Sequence, residues 1–259
     1  MHHRGPLTIH QFPCLSDNYA FLVRDDASGK VATIDTPDAD AIAAEADRLG
    51  WPIDFILNTH WHPDHAGGNA ALAERFGCRI IAPGGEGDKI STKDEIVSGG
   101  DTVLLGETVF EVIDVPGHTL GHIAYHVPAA RTAFVGDTVF SLGCGRMFEG
   151  TPDMFWQSLL RLRRLPDDTM LFCAHEYTAA NARFALSIDA DNPALQRRAE
   201  EVRTLRDRGE PTVPVLLGEE LRANPFLRAD DAALAAAVGL PGAPADAVFA
   251  EIRRRKDSF

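Results

Sequence analysis

The stretch Thr59-His60-Trp61-His62-Pro63-Asp64-His65 packs three imidazoles and one carboxylate into six residues. Imidazole with carboxylate suits zinc or iron, whereas calcium and magnesium want oxygen ligands throughout. His60 and His62 are two apart at the end of an apolar run, so both side chains can point to one side. Asp64 and His65 are adjacent and diverge, which lets them serve a second cation beside the first. Further along, β-rich runs stop at His118 in a Gly-His-Thr turn, at Asp137 in Gly-Asp-Thr, and at His175. Histidines scattered at random do not collect at strand ends, so the recurrence points to one metal centre.

The elements that must position these groups can be read around them. Residues 53 to 57 form a buried strand that delivers the first histidines, and residues 70 to 76 form the helix that follows the ligand-rich loop. This strand–loop–helix order matches open α/β sheets, whose ligand sites lie at the carboxyl ends of strands. Upstream, residues 8–12, 19–24 and 30–35 read as strands separated by turn signals. Asp38 caps a helix whose apolar positions keep helical spacing to Leu49, and Gly50 ends it. Residues 79–81 are a strand before the Gly-rich loop 84–88, which lacks a Walker lysine-serine pair and is read as a loop. Residues 102–105 and 108–115 form a hairpin that delivers His118, and residues 122–127, 132–135 and 169–173 are further strands. His122 and His126 lie along one of them and are read as structural, and His2 and His3 as a mobile terminus. Residues 155–165 form an amphipathic helix.

After about residue 178 the pattern becomes helical only, at residues 179–188, 192–208, 229–238 and 245–256, with no strand. The chain is therefore expected to comprise a first part at 1–178 that carries the candidate ligands and a small all-helical appendage at 179–259. Residues 180–259 carry 12 Lys and Arg against 13 Asp and Glu, so nearly all of the net charge of −13 lies in the first part, as do all ten histidines. That acidity argues against nucleic acid, whose phosphates call for a basic surface. No apolar run approaches the ~20 residues that span a bilayer, and the first residues lack the apolar core of a secretory signal. Cys14, Cys78, Cys144 and Cys173 form no Cys-x-x-Cys pair and read as reduced, buried thiols, which fits a cytoplasmic location. A reactive Cys144 is the less favoured reading.

Thr59-His60-x-His62-x-Asp64-His65, with His118, Asp137 and His175 in their turns, resembles the metallo-β-lactamase superfamily. Within it the chain resembles the hydroxyacylglutathione hydrolase (glyoxalase II) family along nearly its whole length. Ser16-Asp17-Asn18-Tyr19, Gly143-Cys144-Gly145-Arg146-x-Phe148-Glu149-Gly150-Thr151, Ala174-His175-Glu176-Tyr177-Thr178, Asn224-Pro225-Phe226-Leu227-Arg228 and Arg253-x-x-Lys256-Asp257-x-Phe259 carry that likeness. The resemblance implies an α/β fold, an αββα four-layer sandwich with a C-terminal all-helical subdomain. It implies one metal on His60, His62 and His118, a second on Asp64, His65 and His175, and Asp137 bridging them. The implied metals are two divalent ions, zinc first, with iron or manganese as alternatives. The implied partner is a glutathione thioester gripped by Arg146, Phe148, Tyr177, Arg253 and Lys256, and the protein is expected to act as a monomer. Some relatives carry tyrosine at position 148, and the hydroxyl is missing here.

The implied reaction is hydrolysis of S-D-lactoylglutathione to D-lactate and glutathione by a metal-bound hydroxide, with Asp64 orienting the nucleophile. Metal binding lowers the pKa of water from 15.7 to about 7, so no serine or cysteine nucleophile is required. A mononuclear iron persulfide dioxygenase and a lactonase of the same fold are the competing readings.

Overall fold

The computed structural model describes residues 1–259. Two compact units emerge, one built from residues 1–114 with 120–136, the other from residues 115–119 with 137–259.

The first unit opens with β1 (His2–Arg4), β2 (Leu7–Cys14), β3 (Asn18–Asp25) and β4 (Val31–Ile34), each antiparallel to the one before. His2 and His3 thus lie in a paired strand, contrary to the mobile terminus expected, and His3 Nδ1 lies 3.1 Å from Thr8 Oγ1. The chain then crosses over through α1 (Ala39–Leu49), and β5 (Phe55–Leu57), β6 (Arg79–Pro83) and β7 (Glu95–Val97) continue the sheet in parallel. α1 keeps the bounds expected from sequence: Asp38 accepts from Ala41 N, and Gly50 closes the helix at φ 66°. A left-handed C-cap carries no Cβ penalty in glycine. Ile42, Ala43 and Ala46 of α1 and Leu72 of α3 (Asn69–Phe76) pack with Leu22, Ile56 and Ile80 of the sheet.

Four further strands form a second antiparallel array in this unit: β8 (Thr102–Leu105), β9 (Thr108–Asp114), β10 (Ile123–Val127) and β11 (Thr132–Gly136). In β9, Thr108, Phe110 and Val112 are buried while Val109 and Glu111 are exposed, the alternation of a sheet covered on one face. Phe134 of β11 meets both Phe110 and Phe21 of β3, at centroid separations of 6.4 and 5.8 Å, so the two arrays share one core.

The second unit holds the short hairpin β12 (Val139–Phe140) and β13 (Gly143–Cys144), then α4 (Pro152–Leu162), β14 (Met170–Cys173), α5 (Thr178–Ile188) and α6 (Pro193–Asp207). After these come β15 (Val215–Leu216), α7 (Leu217–Ala223), α8 (Ala232–Ala237) and α9 (Ala245–Asp257). The strand β15 corrects the expectation of an all-helical tail. Its two residues are too few to show a period of two, and it is identified only by pairing with Met170 and Leu171 of β14.

Phe155 of α4 packs edge-on against Phe249 of α9 at 5.4 Å, which ties residues upstream of 178 to the last helix. No helix is long and apolar enough to cross a membrane.

Candidate metal centre

The first unit carries four of the expected ligands. Main-chain bonding runs past the end of β5, with Asn58 N donating to Ile81 O and Ile123 N donating to Thr59 O, both at 3.0 Å. Pro63 then opens the one-turn helix α2 (Pro63–Ala66), so Asp64 and His65 ride on a helical turn inside what sequence shows as a loop. Proline suits that first helical position because its missing N–H has no intrahelical partner anyway. His60 is fully buried and His65 nearly so.

The four side chains fall into two pairs. His60 Nε2 and His62 Nδ1 lie 3.0 Å apart, and Asp64 Oδ2 lies 3.6 Å from His65 Nε2. Zinc–nitrogen bonds of 2.0–2.1 Å at a tetrahedral angle set two ligand nitrogens about 3.3 Å apart. Each pair is thus spaced to share a divalent cation.

Asp35, which the sequence reading missed, sets the protonation of two of these imidazoles. It sits just past β4 at φ 57°, in the left-handed region that aspartate enters more readily than most side chains. Oδ1 accepts from Thr59 N at 2.7 Å, and Oδ2 accepts from Thr59 Oγ1 at 2.7 Å. Oδ2 also meets His65 Nδ1 at 2.8 Å. A carboxylate can only accept, so His65 Nδ1 carries the proton and Nε2 keeps its lone pair for a metal. Thr59 Oγ1 gives its one proton to Asp35 and can therefore accept from His60 Nδ1, 3.1 Å away, which frees His60 Nε2 in the same way. Asp35, His60 and His65 bring ligand atoms within 4.8 Å of one another, yet the oxygens of Asp35 are already engaged, so it supports ligands and is not one. The only sequence signal for Asp35 was its place at a strand end.

Asn18 Nδ2 donates to Asp64 Oδ2 at 3.1 Å. His122 stacks on His60 at 4.6 Å, and His126 faces Glu111 across the β9–β10 pair at 3.0 Å, so each has a packing role. Gly136 has φ 48°, and a Cβ there would lie 2.7 Å from Thr59 Oγ1 and 2.8 Å from the His122 ring. Any side chain at position 136 would push on the hydroxyl that orients His60.

The second unit holds His118, Asp137 and His175, all buried. The two oxygens of Asp137 are divided between the imidazoles: Oδ2 is 3.4 Å from His118 Nε2, and Oδ1 is 3.3 Å from His175 Nε2. A carboxylate that offers one oxygen to each side is disposed to bridge two cations. His118 Nδ1 lies 2.7 Å from Arg146 O, and a carbonyl can only accept, so here too the lone pair falls on Nε2. Gly145 makes that approach possible, because a Cβ there would sit 1.9 Å from Asp137 O and 3.0 Å from His118 Nδ1. These imidazole and carboxylate donors, with their lone pairs preset, fit a divalent metal.

The hairpin between Asp137 and Arg146 is held by buried polar groups that the sequence did not mark. Glu220 of α7 accepts from Ser141 Oγ at 3.0 Å, Leu142 N at 2.8 Å and Asn224 Nδ2 at 2.9 Å. Asn224 also donates to Phe140 O and Gly143 O, at 3.1 and 2.9 Å. Leu142 is left-handed at φ 57°, a conformation this network supports. Burial pushes the Glu220 carboxyl above its usual range, while the donors pull it back. Glu220→Ala strands three buried donors, and a loss of about 3 kcal/mol in unfolding free energy is expected from urea titration. A loss within 0.5 kcal/mol, the size of an ordinary surface change, would contradict that role.

The residues expected to grip substrate lie in the same unit. Tyr177 stacks on His175 at 4.7 Å with rings 3° from parallel, and Phe148 sits edge-on to His118 at 5.3 Å; both are exposed. Arg146 Nε is 3.6 Å from Asp257 Oδ1 on α9. Lys256 Nζ donates to Ala180 O at 3.2 Å and lies over Phe184, and burial brings its pKa down to about 8. Arg253, in contrast, is 6% exposed and already committed: Nη1 donates to Cys144 O at 3.0 Å and Nη2 pairs with Asp257 at 2.8 Å. Burial pushes the Cys144 thiol up to about 11, so it stays protonated at neutral pH and the less favoured reactive reading falls away. All four cysteines are free and buried.

Comparison with known proteins accords with this arrangement. Residues 16–175 match the family model of the metallo-beta-lactamase superfamily, and residues 176–259 match that of the hydroxyacylglutathione hydrolase C-terminus. A hydroxyacylglutathione hydrolase from Hyphomonas neptunium is 56% identical over 98% of this chain and 98% of its own length. One from Erythrobacter litoralis is 57% identical over 98% and 100%. A metallo-beta-lactamase from Staphylococcus aureus superposes with a TM-score of 0.66 at 20% identity, over 98% of this chain and 72% of that one, a likeness of fold alone. The fold is that of the metallo-β-lactamases with a helical C-terminal region, and the chain is a hydrolase that belongs to the hydroxyacylglutathione hydrolase family.

Proposed function

We propose that the protein hydrolyses S-D-lactoylglutathione and related S-2-hydroxyacylglutathiones to the 2-hydroxy acid and glutathione, in the cytoplasm and as a monomer. In this reading His60, His62 and His118 hold one cation, Asp64, His65 and His175 hold the other, and Asp137 bridges them. Zinc is the first candidate for both positions, with iron or manganese as alternatives on the same donors. The observation that carries the reading is the division of the Asp137 oxygens between His118 and His175, in a chain whose full-length relatives are hydroxyacylglutathione hydrolases. The meeting of the two family models at residues 175 and 176 supports a catalytic part at 1–178 and a substrate-binding part at 179–259.

When bound, the cations supply hydroxide at neutral pH and positive charge for the carbonyl oxygen. The chain's own groups do the rest. Asp64, held by Asn18, would accept a hydrogen bond from the attacking hydroxide and orient it towards the thioester. Tyr177 and Phe148 present rings beside His175 and His118, where they exclude water and bear on the substrate. Arg146 and Lys256 offer cations to the carboxylates of glutathione, a charge-assisted contact. Arg253 belongs behind them: its bonds to Cys144 and Asp257 order the segment that carries Arg146. The leaving thiol has an ordinary pKa of about 8.5 and needs less protonation than an amine would.

The test is a side-by-side assay of S-D-lactoylglutathione, a lactone and a β-lactam on metal-loaded protein, with elemental analysis of the same sample. Thioester turnover far above the other two, lost on chelation, is expected. A loaded protein that leaves the thioester intact overturns the reading.

A pH signature follows from Lys256. Its ammonium is present below about pH 8 and lost above it, so KM for the glutathione thioester should rise through that range while kcat holds. Lys256→Gln should start from a higher KM and show no such rise. A wild-type KM that stays flat from pH 7 to 9, the decade on either side of that titration, excludes Lys256 from the carboxylate contact.

A further inference from the structure

The Gly-rich stretch 84–88, which no phosphate motif claims, carries a buried acid. Gly84–Glu86 form a single 3-10 turn directly after β6, and Glu86 is 2% exposed. Its two carboxylate oxygens serve two main-chain donors. Oε2 accepts from Trp61 N at 2.7 Å, and Oε1 accepts from Gly121 N at 3.1 Å. Trp61 stands between His60 and His62, and Gly121 leads into His122, whose ring stacks on His60 at 4.6 Å. Ile123 N donates to Thr59 O, and Trp61 and Gly121 are the next pair in that antiparallel register. A continued ladder would join them directly. Here both N–H groups turn to one carboxylate, which sets the spacing of the two chains. Glycines allow the approach: a Cβ at Gly85 would lie 2.8 Å from Gly121 Cα, and one at Gly121 would lie 2.4 Å from Glu86 Cγ.

We infer that Glu86 is a positioning residue for the His60–His62 ligand pair. It fixes the main chain between the two imidazoles, so that His60 Nε2 and His62 Nδ1 keep their 3.0 Å spacing. The inference rests on the reading in which His60, His62 and His118 hold one cation. Glu86 acts through the peptide of Trp61, whereas Asp35 acts on the protons of the imidazole rings. The Asp64–His65 pair has separate support: His65 O accepts from Thr36 N at 2.8 Å and from Asn58 Nδ2 at 2.9 Å. Loss of the Glu86 carboxylate should therefore weaken one cation and spare the other.

The experiment equilibrates zinc-loaded, full-length protein against buffers of graded free zinc and counts the ions retained per chain. Glu86→Gln keeps one acceptor oxygen and turns an amide towards the other N–H. It should release one ion at about 10–100-fold higher free zinc than wild type, the usual cost of losing an outer partner of a metal ligand. The second ion should stay at the wild-type level. Glu86→Asp, with both oxygens on a shorter reach, should show the same one-ion shift to a lesser degree. Added to His62→Ala, which removes a ligand of that cation, Glu86→Gln should have no further effect on the remaining ion. Equal retention of both ions in Glu86→Gln and wild type would overturn the inference. So would an equal shift of both, the mark of general support for the fold. A His62→Ala variant that holds both ions as wild type does would instead overturn the ligand assignment on which the inference stands.

Discussion

Asp137→Ala lowers kcat/KM for S-D-lactoylglutathione by about 10³-fold or more, a loss near 4 kcal/mol in transition-state stabilisation. The expectation rests on the placement of its carboxylate, one oxygen 3.4 Å from His118 and the other 3.3 Å from His175. Alanine removes both oxygens together, and with them a carboxylate that faces both imidazoles. The bound metal should fall below two ions per chain, with the loss of rate following the loss of metal. Asp137→Asn keeps one carboxamide oxygen and should lie between wild type and alanine in both measures. Elemental analysis and steady-state kinetics on the same preparations check the pair. A variant with two tightly bound ions and more than half the wild-type rate would exclude Asp137 as the bridge.

Asp35→Asn weakens metal binding by about 10–100-fold, the usual cost of losing a partner that orients a metal-bound histidine. Three donors converge on this carboxylate: Thr59 N, Thr59 Oγ1 and His65 Nδ1. Asparagine offers one acceptor oxygen where aspartate offers two, and its amide turns a donor towards groups that themselves donate. His65 is then free to move its proton to Nε2, which removes the lone pair a metal needs. Thr59 loses its acceptor and can no longer hold the proton of His60 on Nδ1. Both effects act on affinity, so activity should fall at limiting metal and recover in excess metal. Competition with a chelating dye reads the affinity directly. A variant as tight as wild type would mean that the imidazoles are oriented by other contacts.

The two residues show how unequally the centre could be read from the chain. Asp137 was legible because it ends a β-rich run in a Gly-Asp-Thr turn, as His118 and His175 end theirs. Asp35 ends a strand too, but nothing near it in sequence is a ligand. Its partners, Thr59 and His65, lie 24 and 30 residues away. Greater separations in sequence hid Glu220, which reaches back to Ser141 and Leu142, and hid the bond from Arg253 back to Cys144. Arg253 was legible in one respect only. Its spacing from Lys256 marks one helix face, but spacing alone does not show that this arginine is buried against Phe226 while the lysine is half-exposed.

Local physics decided what one stretch of chain can decide alone. The types and pairing of the ligands between positions 60 and 65 follow from strand and helix periods over six residues. The bounds of α1 follow from Asp38 and Gly50, because caps satisfy backbone groups within a single turn. Tertiary structure decided everything that needs a partner far along the chain. That includes which imidazole nitrogen keeps its lone pair, the two-residue strand β15, the pairing of β1, and the packing of α4 with α9. Hydrogen bonds and ring contacts act over a few ångströms of space, and sequence order does not reveal which distant residues the fold brings that close.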